Sequence, residues 1–374
     1  MRFRKTKTQD LRKVMRIAFA STPVGALGSG NGGGVELTLQ SLANGLSKLG
    51  HSIEVFAPSG SVMETSNQLG TVLHQVDGTL QQPAQDAIRS NLIVEPEGSV
   101  LKNMWAKIRA EQAKFDVVLN FAYDALPLRL TGQLDTAIAH LISMASLTDA
   151  MDQVIVETSL KMPGSIAMHS NAQAATFIGL ADSVRIVGGG IETEEYIFNG
   201  EPNGPLGFVG RISSEKGFED AVMVAERTQV PLSVWGLMQD KECFSQALAK
   251  HPKAIVNYKG FVANAELGKV LGQCRALLVT SKWVEAFGNV VIEALACGTP
   301  VIAYRRGGPA EIVNDGQTGF VVAADDVEQM IDAVRRVGEI DRAKCRQSAE
   351  TYFSAGAFCQ RVEKWLLDCI TSDG

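Results

Sequence analysis

Three observations predict an α/β fold of two doubly wound domains facing across a cleft: a length of 374 residues, short apolar runs alternating with amphipathic segments, and a polar break in that rhythm near residues 190–203. In the first half, RIAFAS reads as the opening strand. GVELTLQSLANGLSKLG reads as a helix with apolar positions three and four apart, closed by Gly50 as its C-cap. SIEVFAP, FDVVLNFA, AIAHLIS, VIVETS, SIAMHSN and SVRIVGGG supply further strands. The polar stretch GIETEEYIFNGEPNG breaks the pattern, which restarts with PLGFVGR, PLSVWG, AIVNYKGF, RALLVTS and PVIAY. The chain therefore divides into a basic tail (1–13), an N-terminal domain (14–190), a linker (191–203), a C-terminal domain (204–355) and a last helix (356–374) that crosses back to the first domain. Parallel strands joined by helical crossovers make Rossmann-like domains, which bind ligands at their strand C-terminal ends.

Composition narrows the class. Hydrophobic content of 45% with 20% charged residues is that of a globular chain, and the net charge of −6 argues against nucleic acid as the main partner. Six cysteines, at 243, 274, 297, 345, 359 and 369, carry no C-x-x-C and no zinc spacing. They read as reduced, mostly buried thiols of a cytoplasmic chain. No apolar run approaches the roughly 18 residues of a membrane span. The start, MRFRKTKTQDLRKV, has six basic residues and one acid before Val14 but no apolar core of a signal peptide. It reads as a frayed tail in preference to a membrane-surface anchor. Nothing in the sequence specifies an oligomeric state.

The stretch GALGSGNGGGVE, residues 25–36, contains a literal G-x-G-x-x-G at Gly28, Gly30 and Gly33, with Glu54 about twenty residues on. A dinucleotide site is nonetheless not expected. The first strand ends near Ser21, well before Gly28, and Glu54 falls inside a strand rather than at its end. No P-loop pattern occurs. Gly32, Gly33 and Gly34 instead precede a helix beginning near Val35, where a phosphate can approach bare backbone and the helix dipole.

Sharper signals lie in GFVGRISSEKGFEDAV (207–222) and in TSKWVEAFGNVVIEALACGTPVIAYRRGGPAEIVNDGQTGFVV (280–322). A helix starting near Asn289 presents the amides of Gly288, Asn289 and Val290 to an anion. Arg211 and Lys216 leave the first strand of the second domain and would face the same anion. With GGGVE near the start and VGGGIETEEY at the boundary, these segments resemble the nucleotide-sugar-dependent glycosyltransferases of family 4, over nearly the whole chain. That resemblance implies the GT-B fold, an acceptor-binding first domain, a donor-binding second domain, and retention at the anomeric carbon. It implies that the E-x7-E pair divides the donor: Glu285 grips the transferred sugar and Glu293 the ribose. It implies a catalytic set of His140, Glu285, Arg211 and Lys216, with His140 beside the anomeric carbon. Donor contacts then fall to Gly33, Gly34, Arg211, Lys216, Phe261, Glu285, Phe287, Gly288, Asn289, Val290 and Glu293. The sequence has no D-x-D motif, and the family pattern is metal-independent; the nucleotide sugar is a co-substrate, and no cofactor is expected. Glu311, in GGPAEIV, matches the family or simply braces a loop. VGGGIE, in place of the family's Asn-Gly-Val-Asp, reads as hinge structure.

From Val14 to Val187 there are ten Lys/Arg against fifteen Asp/Glu. That acidic balance favours a small soluble acceptor over a membrane lipid. Asn120 and Asp124, at the end of a strand facing the cleft, and Asp149 are the acceptor-binding candidates. The chain is also similar to cyanobacterial pteridine glucosyltransferases, which implies UDP-glucose as donor. A carboxylate such as Asp124, Asp149 or Asp152 matches the amino-pyrimidine edge of a pterin. A sugar, sugar-phosphate or lipid acceptor, a glycosidase using Glu285 and Glu293, and a non-catalytic nucleotide-sugar-binding protein are the alternatives.

Overall fold

The computed structural model describes residues 13–63, 70–82, 96–201 and 204–372. All but the last residue of the basic tail lies outside them. Strands β1 (Arg16–Ala20), β2 (Ser52–Pro58), β3 (Thr71–Val76), β4 (Val117–Asn120), β5 (Ala137–Ile142), β6 (Ile166–Met168) and β7 (Arg185–Ile186) form one parallel sheet, in the order β3-β2-β1-β4-β5-β6-β7. A second parallel sheet holds β8 (Leu206–Val209), β9 (Leu232–Trp235), β10 (Val256–Tyr258), β11 (Ala276–Val279), β12 (Val301–Tyr304) and β13 (Gly319–Val322), in the order β10-β9-β8-β11-β12-β13. The strand order reverses between β1 and β4 in one sheet and between β8 and β11 in the other. Ligand crevices of doubly wound sheets open at such reversals.

Helices cover both sheets. The first domain carries α1 (Gly34–Lys48), α2 (Val100–Glu111), α3 (Ala125–Leu130), α4 (Asp149–Lys161) and α5 (Asn171–Ala174). The second carries α6 (Phe218–Thr228), α7 (Lys241–Lys250), α8 (Asn264–Gly272), α9 (Asn289–Ala296), α10 (Pro309–Ile312), α11 (Val327–Arg336) and α12 (Arg342–Tyr352). Helix α1 closes as expected, with Gly50 at φ 95° just past its end. VIVETS, expected as a strand, lies inside α4. Its β-branched run resembles a strand, but Thr148 accepts from the Met151 amide and Asp149 and Asp152 fill an acidic first turn, which are helix-start features. Strands β3 and β13 were not anticipated. Both lie at sheet edges; partial exposure breaks the apolar run in β3, whereas β13 is an apolar run of only four residues.

The last helix, α13 (Ala355–Ser372), belongs to the first domain by packing. Phe358, Cys359, Val362, Trp365, Leu366 and Cys369 join a core cluster with β1, β2 and α1. Trp365 Nε1 donates to Gly164 O at 2.7 Å. Glu363 meets the buried His51 at 2.8 Å, while the Met15 amide donates to the other ring nitrogen at 3.0 Å. The latter bond makes Nδ1 an acceptor, so His51 is the Nε2–H tautomer donating to Glu363.

The chain thus crosses between domains twice, and the crossings lie side by side. Ile191 N donates to Phe353 O at 2.9 Å, and Ala355 N donates back to Ile191 O at 2.7 Å. Arg361 donates to Val187 O, Gly189 O and Tyr352 O, tying both crossings to α13. Gly189 and Gly190 permit this: a Cβ on them would stand 2.5 Å from the Phe287 ring and 2.6 Å from Phe358 Cβ. Five of the six cysteines are buried and all are free thiols. Among the described residues no helix is long and apolar enough to cross a membrane.

Because Phe358 is fully buried in the first domain's core, Phe358→Ala is expected to destabilise that domain by about 3–5 kcal/mol, despite its place near the C-terminus. Denaturant titration with a probe in each domain checks it; loss confined to the second domain would contradict this packing.

Candidate functional site

The site is assembled from loops at the two strand reversals. After β1 the chain passes through the glycine-rich segment into α1. Gly28, Gly30 and Gly33 take positive φ angles of 86°, 81° and 57°. The loop wraps around a carboxylate of its own: Glu36 accepts from the amides of Gly28 (2.8 Å), Gly30 (3.2 Å) and Gly32 (2.6 Å). Those amides would hold the pyrophosphate in a dinucleotide site, so their commitment to Glu36 removes that function. Gly33 N is also used, donating to Gly30 O at 3.1 Å. Of the two expected phosphate contacts, Gly33 therefore has no amide to offer. The Gly34 and Val35 amides take no hydrogen-bond partner among the described residues.

Three loops of the second domain interlock opposite. Lys216 lies after β8 and Glu285 after β11. Lys282 N donates to Glu215 O at 2.7 Å, and Thr280 Oγ1 to Lys216 O at 3.1 Å, so the two loops run together. Gly217, at φ 66°, is required there, since a Cβ would stand 2.0 Å from Thr280 O. The loop after β12 closes the back, with Gly308 N donating to Glu285 O at 2.8 Å. This stitching brings Lys216 Nζ to 2.8 Å from Glu285 Oε1 and 5.3 Å from the Trp283 ring centroid. Ser281 Oγ also donates to Glu285. Burial pushes the Glu285 carboxyl up. The Lys216 charge and hydrogen bonds from Lys216 and Ser281 outweigh this and hold it below the usual carboxylate range. Arg211 lies on the same loop, donating to Gln239 at 2.9 Å and pairing with Glu215 at 3.4 Å.

Helix α9 starts from Gly288 at φ 102°. The amides of Asn289 and Val290 have no partner among the described residues, whereas Val291 N returns to Gly288 O. A Cβ added to Gly34 would stand 3.2 Å from Asn289 Nδ2, so the starts of α1 and α9 meet across the cleft. Two positive helix ends thus meet there, and Lys216 is paired with Glu285 on the loop that leads into α9.

The domains are also latched beside this point. The Glu311 carboxylate accepts from Asn171 N (3.0 Å), Asn171 Nδ2 (2.9 Å) and Ala172 N (2.5 Å), and Ser170 Oγ donates to Ala286 O at 2.6 Å. Of the two readings open for Glu311, its hydrogen bonds are those of a brace, one that joins the domains. The Phe287 ring packs against Gly189 and lies 5.9 Å from the His169 ring, so it fills the domain interface rather than the donor crevice. His169 went unnoticed in the sequence. It follows β6 directly, donating from Nδ1 to Gly188 O at 2.6 Å with Nε2 at 3.1 Å from Ser143 Oγ; the only available signal was its place just after a strand.

His140 requires correction. It is fully buried, with Nε2 at 2.7 Å from Thr131 Oγ1 and Nδ1 at 3.2 Å from Asn120 Nδ2, and burial pushes its pKa down to about 3. Both nitrogens are occupied inside the first domain, so the side chain is that of a neutral core histidine and turns no ring nitrogen to a donor. Asn120, its register partner on β4, is equally buried and is spent on Ala122 and His140 rather than on an acceptor. Asp124 N-caps α3 through Leu126 N, Asp152 accepts from Ser146, and Asp149 is exposed at the start of α4. Phe261 stands 68% exposed beyond β10. Glu293 is buried one turn into α9, where Tyr196 donates to it at 3.3 Å; burial raises its carboxyl to about 7.

The pair of sheets with this cleft is the GT-B fold of glycosyltransferases. Sucrose-phosphate synthase from Thermosynechococcus elongatus superposes with a TM-score of 0.74 at 19% identity, over 96% of this chain and 99% of that one. The Anabaena protein HepE in complex with UDP-glucose gives 0.71 at 18% identity, over 95% and 100%. Residues 198–352 match the family model described as glycosyl transferases group 1. Glycogen synthase of Mycobacterium tuberculosis is 32% identical over 170 residues, which are 42% of this chain and 40% of that protein. The chain spans well under half the length of the curated relatives it matches.

Because the Glu293 carboxyl is raised, ionising it costs folding free energy. Its favourable contribution is complete below the ordinary value of 4.5 and is lost as pH rises through about 7. Wild-type Tm is expected to fall by about 2–6 °C across that interval from this group, and Glu293→Gln to flatten the fall. Melting curves from about pH 4 to pH 9 check it; parallel profiles for the two proteins would refute it.

Proposed function

We propose that the chain is a nucleotide-diphosphate-sugar-dependent hexosyltransferase. It moves glucose from UDP-glucose to a small soluble acceptor with retention at the anomeric carbon. The observation that carries the reading is the Lys216–Glu285 pair beneath the facing starts of α1 and α9. A departing diphosphate needs positive charge where water is scarce, and these groups provide it without reorganising. The amides of Gly34, Asn289 and Val290 take the phosphates, Lys216 and Arg211 neutralise them, and the carboxylate of Glu285 grips sugar hydroxyls. The bond from the anomeric carbon to the diphosphate breaks as the acceptor atom bonds on the same face. The acceptor proton passes to the leaving phosphate, so no protein base is needed. The exposed Phe261 offers a stacking surface for the base. Glu293 takes the ribose hydroxyls once Tyr196 yields its place. The solved complex of HepE with UDP-glucose supports that donor.

The acidic first domain supports an uncharged or cationic acceptor. A pteridine is the acceptor this charge balance suggests, with Asp149 at the solvent-exposed start of α4 as the carboxylate to meet its amino-pyrimidine edge. A sugar-phosphate acceptor is the second reading, favoured by the likeness to sucrose-phosphate synthase. A glycosidase is disfavoured because Glu285 and Glu293 are held by different partners, Lys216 and Tyr196, and do not form a working pair.

Thermal shifts with UDP, UDP-glucose, GDP-mannose, ADP-glucose and NAD, with EDTA present throughout, test the donor. A shift with UDP and UDP-glucose and none with NAD is expected; a shift with NAD alone would sink the reading. Lys216→Ala is expected to cut turnover by about 10²–10³-fold while the protein stays folded. Near-normal turnover would remove Lys216 from the chemistry.

A further inference from the structure

We infer that Glu36 is the positioning residue of the donor site: a built-in anion that moulds the glycine loop so that the Gly34 and Val35 amides face the diphosphate. The inference rests on the donor reading above. Glu36 is 8% exposed, and its carboxylate takes three amides from a stretch of five residues. Three N–H groups converging on one carboxylate form an anion nest. Here the anion is supplied by the chain and tethered to the first turn of the helix whose start it sets. Backbone at positive φ is costly to hold in one shape, because glycine has the most freedom to lose. Charge-assisted bonds to Glu36 offset that loss before any ligand arrives. Gly32 closes the contact, since a Cβ there would stand 2.8 Å from Glu36 Cγ.

The consequence is a division of labour among amides. Those of Gly28, Gly30 and Gly32 serve Glu36, and that of Gly33 serves Gly30 O. Gly34 and Val35 are left, beside Asn289 of the other domain. Glu36 therefore acts through the loop and does not touch the donor. Its negative charge is spent on the nest, so it does not repel the phosphates.

Glu36→Gln tests this, because it keeps the shape but turns an NH2 toward one or two of the three glycine N–H groups. UDP and uridine affinities are measured by calorimetry and competition, with donor KM and kcat alongside. Expected for the variant are a roughly 10–100-fold loss of UDP affinity, a matching rise in donor KM, little change in kcat, and unchanged uridine affinity. Unspecific loosening would weaken both ligands together and would count against the inference. UDP bound as tightly as by the wild type, or more tightly, would overturn it. Should Glu36→Gln fail to fold, Gly30→Ala carries the same test: its Cβ meets no atom within 4 Å, but its φ of 81° is strained for alanine. Gly30→Ala is expected to lose UDP affinity and keep uridine affinity, and unchanged UDP affinity would overturn the inference. A wild-type protein that binds neither UDP nor uridine would instead bring down the donor reading itself.

Discussion

A lysine and a glutamate drawn out of water together are the constraint on which the second domain's site depends. Glu285 is too buried to be left alone, because an uncompensated carboxylate in such a place costs several kcal/mol, on the order of 3–5. Lys216 compensates it, but only if the loops after β8 and β11 hold their register. That register rests on one backbone bond from Lys282 and a side-chain bond from Thr280, and on a glycine at 217 that no other residue replaces without a clash. The third loop, after β12, is fastened by Gly308 to the Glu285 carbonyl and by Arg306 to Ser281 O. Charge pairing and loop geometry therefore specify one another.

The first domain answers with the opposite device. Where the second domain half-buries a cation beside a carboxylate, the glycine loop buries a carboxylate among amides. In both cases the polar groups are satisfied within the chain, and the groups left over point into the cleft. Helix starts α1 and α9 are the remainder: first-turn amides that no residue of their own helix can satisfy. Their meeting at Gly34 and Asn289 depends on how the domains sit, not on either domain alone.

That arrangement is held at the domain interface. Helix α13 begins after the second domain and completes the core of the first, so the first domain has no finished interior until the chain has crossed twice. Glu311 adds a charged latch on the cleft side, and Phe287 an apolar plug against Gly189 and His169. The sequence leaves Glu311 open between a family role and a brace, and it suggests Phe287 as a donor contact. Their side chains hold the domains together instead.

Periodicity and punctuation in the sequence determined the two-sheet α/β architecture, the start and stop of α1, the break between halves, and the loops that carry Lys216, Glu285 and Asn289. These are local signals: apolar spacing, glycine at turns, and cations or carboxylates next to strand ends. What they could not decide is direction and partnership. A strand residue's face and neighbours come from the sheet, so the register that sets His140 beside Asn120 in the core was invisible, and a buried neutral histidine read as a site residue. The same holds for Glu36, whose three partners lie within its own loop but depend on positive-φ backbone that only folding reveals. VIVETS misled because its β-branched residues suit a strand, and only packing against the sheet made them a helix. The sequence alone determined which cations, carboxylates and glycines the chain carries and on which loops they fall. The tertiary structure decided which of those groups remain free for a ligand, because burial and pairing are properties of the assembled chain.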